Sequence, residues 1–153
     1  MTNFLIGNGI DIHKIIKSNK PQKLGGLTFN LGYEIIAHSD GDIIFHSLSS
    51  AILGALSLDD LGTYFPDTDL KNKNLNSLVI LEKTMQLLDE FGFQIVNVDI
   101  TLISDFIFLK EIKNEIKQNL EKLLKTKISL KGTRFEENAE KIQVNTVLLL
   151  SKK

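Results

Sequence analysis

His38-Ser39-Asp40-Gly41-Asp42, followed by Ile43-Ile44-Phe45-His46-Ser47-Leu48-Ser49-Ser50-Ala51-Ile52-Leu53-Gly54-Ala55, is the stretch where the chain passes from strand and loop to helix. Ile44, Leu48, Ala51, Ile52 and Ala55 recur at helical spacing, and Asp42 carries the side chain of an N-cap just before them. His46 then falls in the first turn. Upstream, residues 3–12 begin as an apolar strand and run into Gly9-Ile10-Asp11-Ile12-His13, where alternation sends Asp11 and His13 to one face. Residues 25–32 alternate between glycines and predict a short hairpin strand.

Downstream, residues 57–76 form a loop rich in Asp and Asn, built around Tyr64-Phe65-Pro66-Asp67-Thr68-Asp69 and long enough to be functional. A second helix is expected over 77–91, with Leu81, Met85 and Leu88 on one face and Gly92 suited to a left-handed cap. Residues 94–104 alternate as a strand. A third helix is expected over 109–124, with Ile112, Ile116, Leu120 and Leu123 inward and its many Lys and Glu side chains as a solvated coat. Strands over 128–133 and 142–150 flank the loop Phe135-Glu136-Glu137-Asn138-Ala139.

This order predicts a single α+β domain over residues 1–153: a layered α/β arrangement of a mixed β-sheet with helices on one face, plus a small β-hairpin. A sheet covered on one side leaves the other bare. The apolar ending Val147-Leu148-Leu149-Leu150 suits burial against neighbouring subunits, and equally a buried strand within one subunit.

A chain of 153 residues with 42% hydrophobic content and 2 Pro is consistent with one compact core. The net charge of −1, from 18 basic and 19 acidic side chains, provides no broad positive field, so neither nucleic acid nor a membrane surface is an expected partner. Without Cys, a transition-metal site has to use His and carboxylates. No apolar run approaches the roughly 20 residues of a membrane span, and a cytoplasmic protein is expected.

All 3 histidines lie between positions 13 and 46. Asp11, His13 and His46 could form a three-ligand site with an open fourth position, as in catalytic zinc centres. Each histidine alone could equally be a satisfied polar residue. The acidic loops could be solvated turns, with Asp42 a cap only, although a helix N-terminus also favours phosphate.

Taken in order, Asp11-Ile12-His13, Ala37-His38-Ser39-Asp40-Gly41-Asp42 with His46, Leu58-Asp59-Asp60-Leu61-Gly62-Thr63-Tyr64-Phe65-Pro66-Asp67-Thr68-Asp69, and Asn97-Val98-Asp99-Ile100-Thr101 resemble the successive motifs of the 2-C-methyl-D-erythritol 2,4-cyclodiphosphate synthase family. The resemblance implies a homotrimer with an active site at each subunit interface. It implies a phosphorus–oxygen lyase of the non-mevalonate isoprenoid pathway, acting on a small cytidyl diphosphate substrate. The substrate is 4-diphosphocytidyl-2-C-methyl-D-erythritol 2-phosphate, converted to the cyclic diphosphate and CMP.

By the same carry-over, one zinc per subunit is held by Asp11, His13 and His46, and Glu136 helps to bind a second divalent cation, magnesium or manganese. His38 stabilises charge on the transferring phosphoryl group, with Ser39 beside it. Asp60, Leu61, Gly62, Phe65, Pro66, Asp67, Thr68 and Asp69 receive the methylerythritol part, and Thr133 faces the cytidine diphosphate.

The chain departs from the family pattern at Ser50, where an acidic residue is usual, and at Phe106-Ile107-Phe108-Leu109-Lys110, which is one residue shorter. In Lys131-Gly132-Thr133-Arg134-Phe135-Glu136, Arg134 falls where the family has a catalytic threonine, and the loop after it is shortened. An arginine there could stabilise phosphate charge or fill the nucleotide pocket. Two other readings stay open: a relative that binds zinc and nucleotide without turnover, and a zinc phosphohydrolase.

Overall fold

The computed structural model describes residues 3–153; Met1 and Thr2 lie outside them. Its main sheet is built from β1 (Phe4–Lys17), β4 (Tyr33–Ile35), β5 (Phe93–Ser104), β6 (Lys127–Thr133) and β7 (Lys141–Lys152), while β2 (Gln22–Leu24) and β3 (Leu27–Phe29) form a separate hairpin. The strand order is β4-β1-β7-β5-β6, antiparallel except for the parallel pair β5 and β6. The sheet is therefore mixed, with the last strand at its centre.

Helices α1 (Ile43–Ala55), α3 (Ser77–Glu90) and α4 (Lys113–Leu124) cover one face. Helix α1 lies between the sheet and α3, which explains why it is apolar almost all round: Ile43, Ile44, Phe45, Leu48, Ile52 and Leu53 are all buried. On α3, Leu81 and Leu88 face the core as their spacing predicts, with Met85 partly buried between them.

Among the described residues no helix covers the opposite face. Alternation along β1 leaves Ile6, Ile10 and Ile12 at 73%, 48% and 54% exposure, beside Val147 on β7 at 47%. No helix among the described residues is long and apolar enough to cross a membrane.

Several boundaries differ from the sequence reading, each for a non-local reason. Strand β1 continues to Lys17 because its far end pairs with β4, a three-residue strand whose existence depends on that partner. The predicted strand over 25–32 is a hairpin, turning at Gly25 and Gly26 with φ of +64° and +85°. The loop over 57–76 contains a short helix, α2 (Leu61–Tyr64), and a 3-10 turn (Leu70–Asn72).

Helix α4 begins at Lys113 rather than near 109. Leu109 is instead buried in the connection, its carbonyl accepting from the N–H groups of Ile112 and Lys113. The inward positions are Ile116, Leu120 and Leu124, one turn apart; Leu123, expected inward, is 39% exposed.

Candidate active site

Two glycines determine how closely α1 approaches the sheet. A Cβ at Gly7 would stand 1.9 Å from the Ala51 carbonyl oxygen, and one at Gly9 would stand 2.0 Å from that of Ser47. Backbone meets backbone there, and Ser47 Oγ donates to the Gly9 carbonyl at 3.0 Å. Asp11 and His13 follow on the same face of β1, beyond the contact and level with the first turn of α1. That turn carries His46.

The helix start is fixed by Asp42, as its position predicts. Its buried carboxylate accepts from the N–H of Phe45 at 3.2 Å, and from those of Gly25 and Gly26 at 3.0 and 2.7 Å. It thus caps α1 and ties down the hairpin. Burial pushes its carboxyl up to about 6 despite the three backbone donors.

Asp11 Oδ2 lies 2.9 Å from His13 Nε2 and 3.6 Å from His46 Nδ1. His13 Nδ1 donates to the Ile36 carbonyl at 3.1 Å, so its Nε2 lone pair is aimed at the carboxylate. Protonating Nε2 makes a hydrogen bond to Asp11, which raises the His13 pKa against the lowering effect of burial, whereas burial lowers that of His46. Electron-rich atoms converging in this way need a proton or a metal cation between them.

The donor set fits zinc, whose tetrahedral ligands at roughly 2.0–2.1 Å stand about 3.3 Å from one another. The 2.9 and 3.6 Å separations lie either side of that value, so the donor types suit zinc, while no three His, Cys, Asp or Glu side chains among the described residues are gathered as a metal-holding group.

These side chains line a cavity of about 570 Å³ together with Ile36, Ala37, His38, Ser39, Leu61, Gly62, Phe65 and Asp67. Other residues of the acidic loop act behind its wall. Asp60 caps α2 through Thr63, Asp69 caps the 3-10 turn through Lys71, and the Pro66 carbonyl accepts from Asn72 Nδ2 at 2.9 Å. Thr68 is exposed.

Thr133, Arg134 and Glu136 are elsewhere. They line a cavity of about 600 Å³ with Phe108, Lys110 and Lys113, and it shares no lining residue with the first. Arg134 stacks its guanidinium over Phe108, 4.6 Å from the ring centroid. Asp105 holds the following loop by accepting from the N–H groups of Glu136, Ala139 and Glu137 at 2.8, 2.9 and 3.2 Å. Glu136 and Asn138 adopt φ of +62° and +52° there.

With Asp11, His13 and His46 gathered in one cavity beside the 61–67 segment, the site can be set beside known proteins. The model of the YgbB family matches residues 4–151. The chain belongs to the YgbB family. The 2-C-methyl-D-erythritol 2,4-cyclodiphosphate synthase of Leptospira borgpetersenii serovar Hardjo-bovis is 46% identical over 138 residues, covering 88% of this chain and 86% of that one. The synthase of Finegoldia magna is 36% identical over 156 residues, covering 97% and 98%. A solved cyclodiphosphate synthase in its CDP-bound form superposes with a TM-score of 0.88 at 31% identity, over 95% of this chain and 99% of that one. The CDP complex of IspF from Plasmodium falciparum gives 0.86 at 34% identity, over 100% and 99%.

In this YgbB-family chain, sequence reasoning missed Ile36, Asn72, Leu75 and Ile80 as walls of the cavity, and Ser77 as a partner of His46. Asp40 was legible as part of a motif but not as the partner of Ser77, 37 residues away. No local periodicity marks a contact of that kind. Asp105 was equally silent, because its three acceptances are from backbone, which carries no residue signature.

Proposed function

We propose that the chain is a cyclodiphosphate synthase of the non-mevalonate isoprenoid pathway. It converts 4-diphosphocytidyl-2-C-methyl-D-erythritol 2-phosphate into 2-C-methyl-D-erythritol 2,4-cyclodiphosphate and CMP, as a phosphorus–oxygen lyase. The observation that carries this reading is the convergence of Asp11, His13 and His46 in a cavity walled by Leu61, Gly62, Phe65 and Asp67, in a chain whose near relatives bear that name.

An oxygen of the substrate's own 2-phosphate forms a bond to the β-phosphorus. The bond from that phosphorus to the oxygen bridging to the α-phosphorus breaks, and CMP leaves with the electron pair. No water is consumed and no side-chain nucleophile is needed, so catalysis is positioning and charge stabilisation. Zinc on Asp11, His13 and His46, with magnesium or manganese at Glu136, supplies charge neutralisation at the phosphate oxygens when bound.

The chain's own groups do the rest. His38, at the rim of the cavity, donates to the phosphoryl oxygens, with Ser39 beside it. Leu61 and Gly62 offer backbone N–H groups at the start of α2, Asp67 and the exposed Thr68 meet methylerythritol hydroxyls, and Asp60, Pro66 and Asp69 set the loop. Thr133 and Arg134 take the nucleotide diphosphate.

One subunit cannot do this alone. The register places Thr133 level with Ile12 across Ile103 and Gln143, three strand spacings or roughly 14 Å away. Neighbouring phosphates of one diphosphate are far closer than that. A homotrimer packed through the bare apolar sheet face would bring the 132–136 edge of one subunit to the first cavity of the next.

The test is a mass-spectrometric assay of the zinc-loaded protein with the cytidyl diphosphate substrate and magnesium. Equal amounts of CMP and cyclic diphosphate are expected. No product from a folded, zinc-loaded oligomer would overturn the proposal, and release of inorganic phosphate would favour a phosphohydrolase.

A further inference from the structure

Position 50, one turn beyond His46 on α1, is a serine, so no carboxylate there orients the His46 ring. The groups behind the ring come from elsewhere. His46 Nε2 lies 2.9 Å from Ser77 Oγ and 3.1 Å from Ser39 Oγ. Ser77 is the first residue of α3, and its hydroxyl is hydrogen-bonded to Asp40 Oδ1.

Donors surround Asp40. The N–H of Asp42 donates to Oδ1 at 3.1 Å, that of Ser77 donates to Oδ2 at 3.0 Å, and the Lys23 ammonium stands 3.8 Å from Oδ2. Such a carboxylate acts as an acceptor. The Ser77 hydroxyl proton therefore goes to Asp40, leaving only lone pairs on Ser77 Oγ for His46. The proton of a neutral His46 must then sit on Nε2, which makes Nδ1 the bare nitrogen. Nδ1 is the atom facing Asp11 Oδ2.

We infer that Asp40 is a positioning residue for His46, acting through Ser77 to hold the Nε2–H tautomer and aim Nδ1 into the cation site formed with Asp11 and His13. The inference rests on reading those three side chains as metal ligands. It assigns to the carboxylate of Asp40, reached from a different helix, the orienting work that Ser50 cannot do from α1. Partners of this kind typically change metal affinity by 10–100-fold when removed. Ser39, whose Oγ accepts from the Gly41 N–H at 3.3 Å, offers Nε2 a second acceptor. It does not fix the proton's direction, because no carboxylate stands behind it in the same way.

The experiment compares the full-length wild type with Ser77→Ala, Asp40→Asn and Ser77→Thr. Zinc affinity is read by competition with a chromogenic chelator, and the His46 ring nitrogens are read by ¹⁵N NMR on metal-free protein above the ring's titration. The wild type and Ser77→Thr should show the Nε2–H tautomer and similar affinity. Ser77→Ala and Asp40→Asn should mix the tautomers and bind zinc about 10–100-fold more weakly.

A tie that is only structural would lower the urea midpoint of metal-free Asp40→Asn while leaving tautomer and affinity unchanged, and that result overturns the inference. Wild-type protein that binds no zinc overturns the metal reading itself, whatever the variants do. The two failures are thus told apart by the wild type alone.

Discussion

Gly9 on β1 and Ser47 on α1 touch backbone to backbone: the Ser47 hydroxyl donates to the Gly9 carbonyl, and no Cβ fits at Gly9 because the Ser47 carbonyl oxygen would be 2.0 Å away. Gly9→Ala must push α1 off the strand, since neither atom is the end of a flexible side chain. The expected loss is roughly 1–3 kcal/mol of stability, read as a lower urea midpoint. Because α1 carries His46, zinc retention of the folded variant should fall as well. Wild-type stability in this variant would contradict the packing.

Removing a donor should separate metal binding from folding. His46→Ala takes away a half-buried ring whose partners are polar, so the fold should survive while zinc co-purification drops to background. Metal content by elemental analysis, with circular dichroism as the control, checks this. Unchanged zinc would rule out the ligand set.

Asp42 gives stability a defined pH dependence. Its carboxyl is pushed up to about 6 in the folded protein from the 3.8 of an ordinary aspartate, so the folded state binds more protons between those values. Stability from this group is complete below about pH 4 and is lost as pH rises through about 6, by up to ~3 kcal/mol. Asp42→Asn removes the titration, although the new amide faces the Gly26 N–H and costs stability at low pH. The stability difference, wild type minus Asp42→Asn, should fall across this window. A flat difference would show that burial does not penalise the carboxylate.

Ile10→Asp places a charge on the bare sheet face without touching the core, since Ile10 is already half exposed in one subunit. If the proposed trimer packs through this face, sedimentation velocity should show the wild type as a trimer and the variant as a monomer, with turnover lost. A variant that remains a trimer would place the interface elsewhere.

Arg134 combines charge with a flat surface on Phe108. Arg134→Ala should lower kcat/KM up to ~100-fold, and Arg134→Lys should restore only part of it because an ammonium neither stacks nor donates in a fork. Equal kinetics in all three proteins would remove Arg134 from the site.

Much of the fold was legible because its signals are local. Asp42 before an apolar helical repeat fixed the start of α1, and alternation placed Asp11 and His13 on one face. Strand β4 was not legible, because three residues form a strand only when a partner is presented to them. Leu124 rather than Leu123 faces inward although Ile116 and Leu120 lie where their spacing puts them: the next inward position can be three or four residues on, both are leucine, and only the packing of the last turn decides between them.

The sequence by itself determined the chemical inventory and the motif order: three histidines near acidic turns, no thiols, and a long loop rich in Asp and Asn. Only the tertiary structure decided which groups meet. Asp40, Ser77 and His46 come from a loop and two helices, and Thr133 is held three strands from Ile12. Period and propensity act over a few residues along the chain, whereas a hydrogen bond between Ser77 and Asp40 exists only once the core has packed α1 and α3 together.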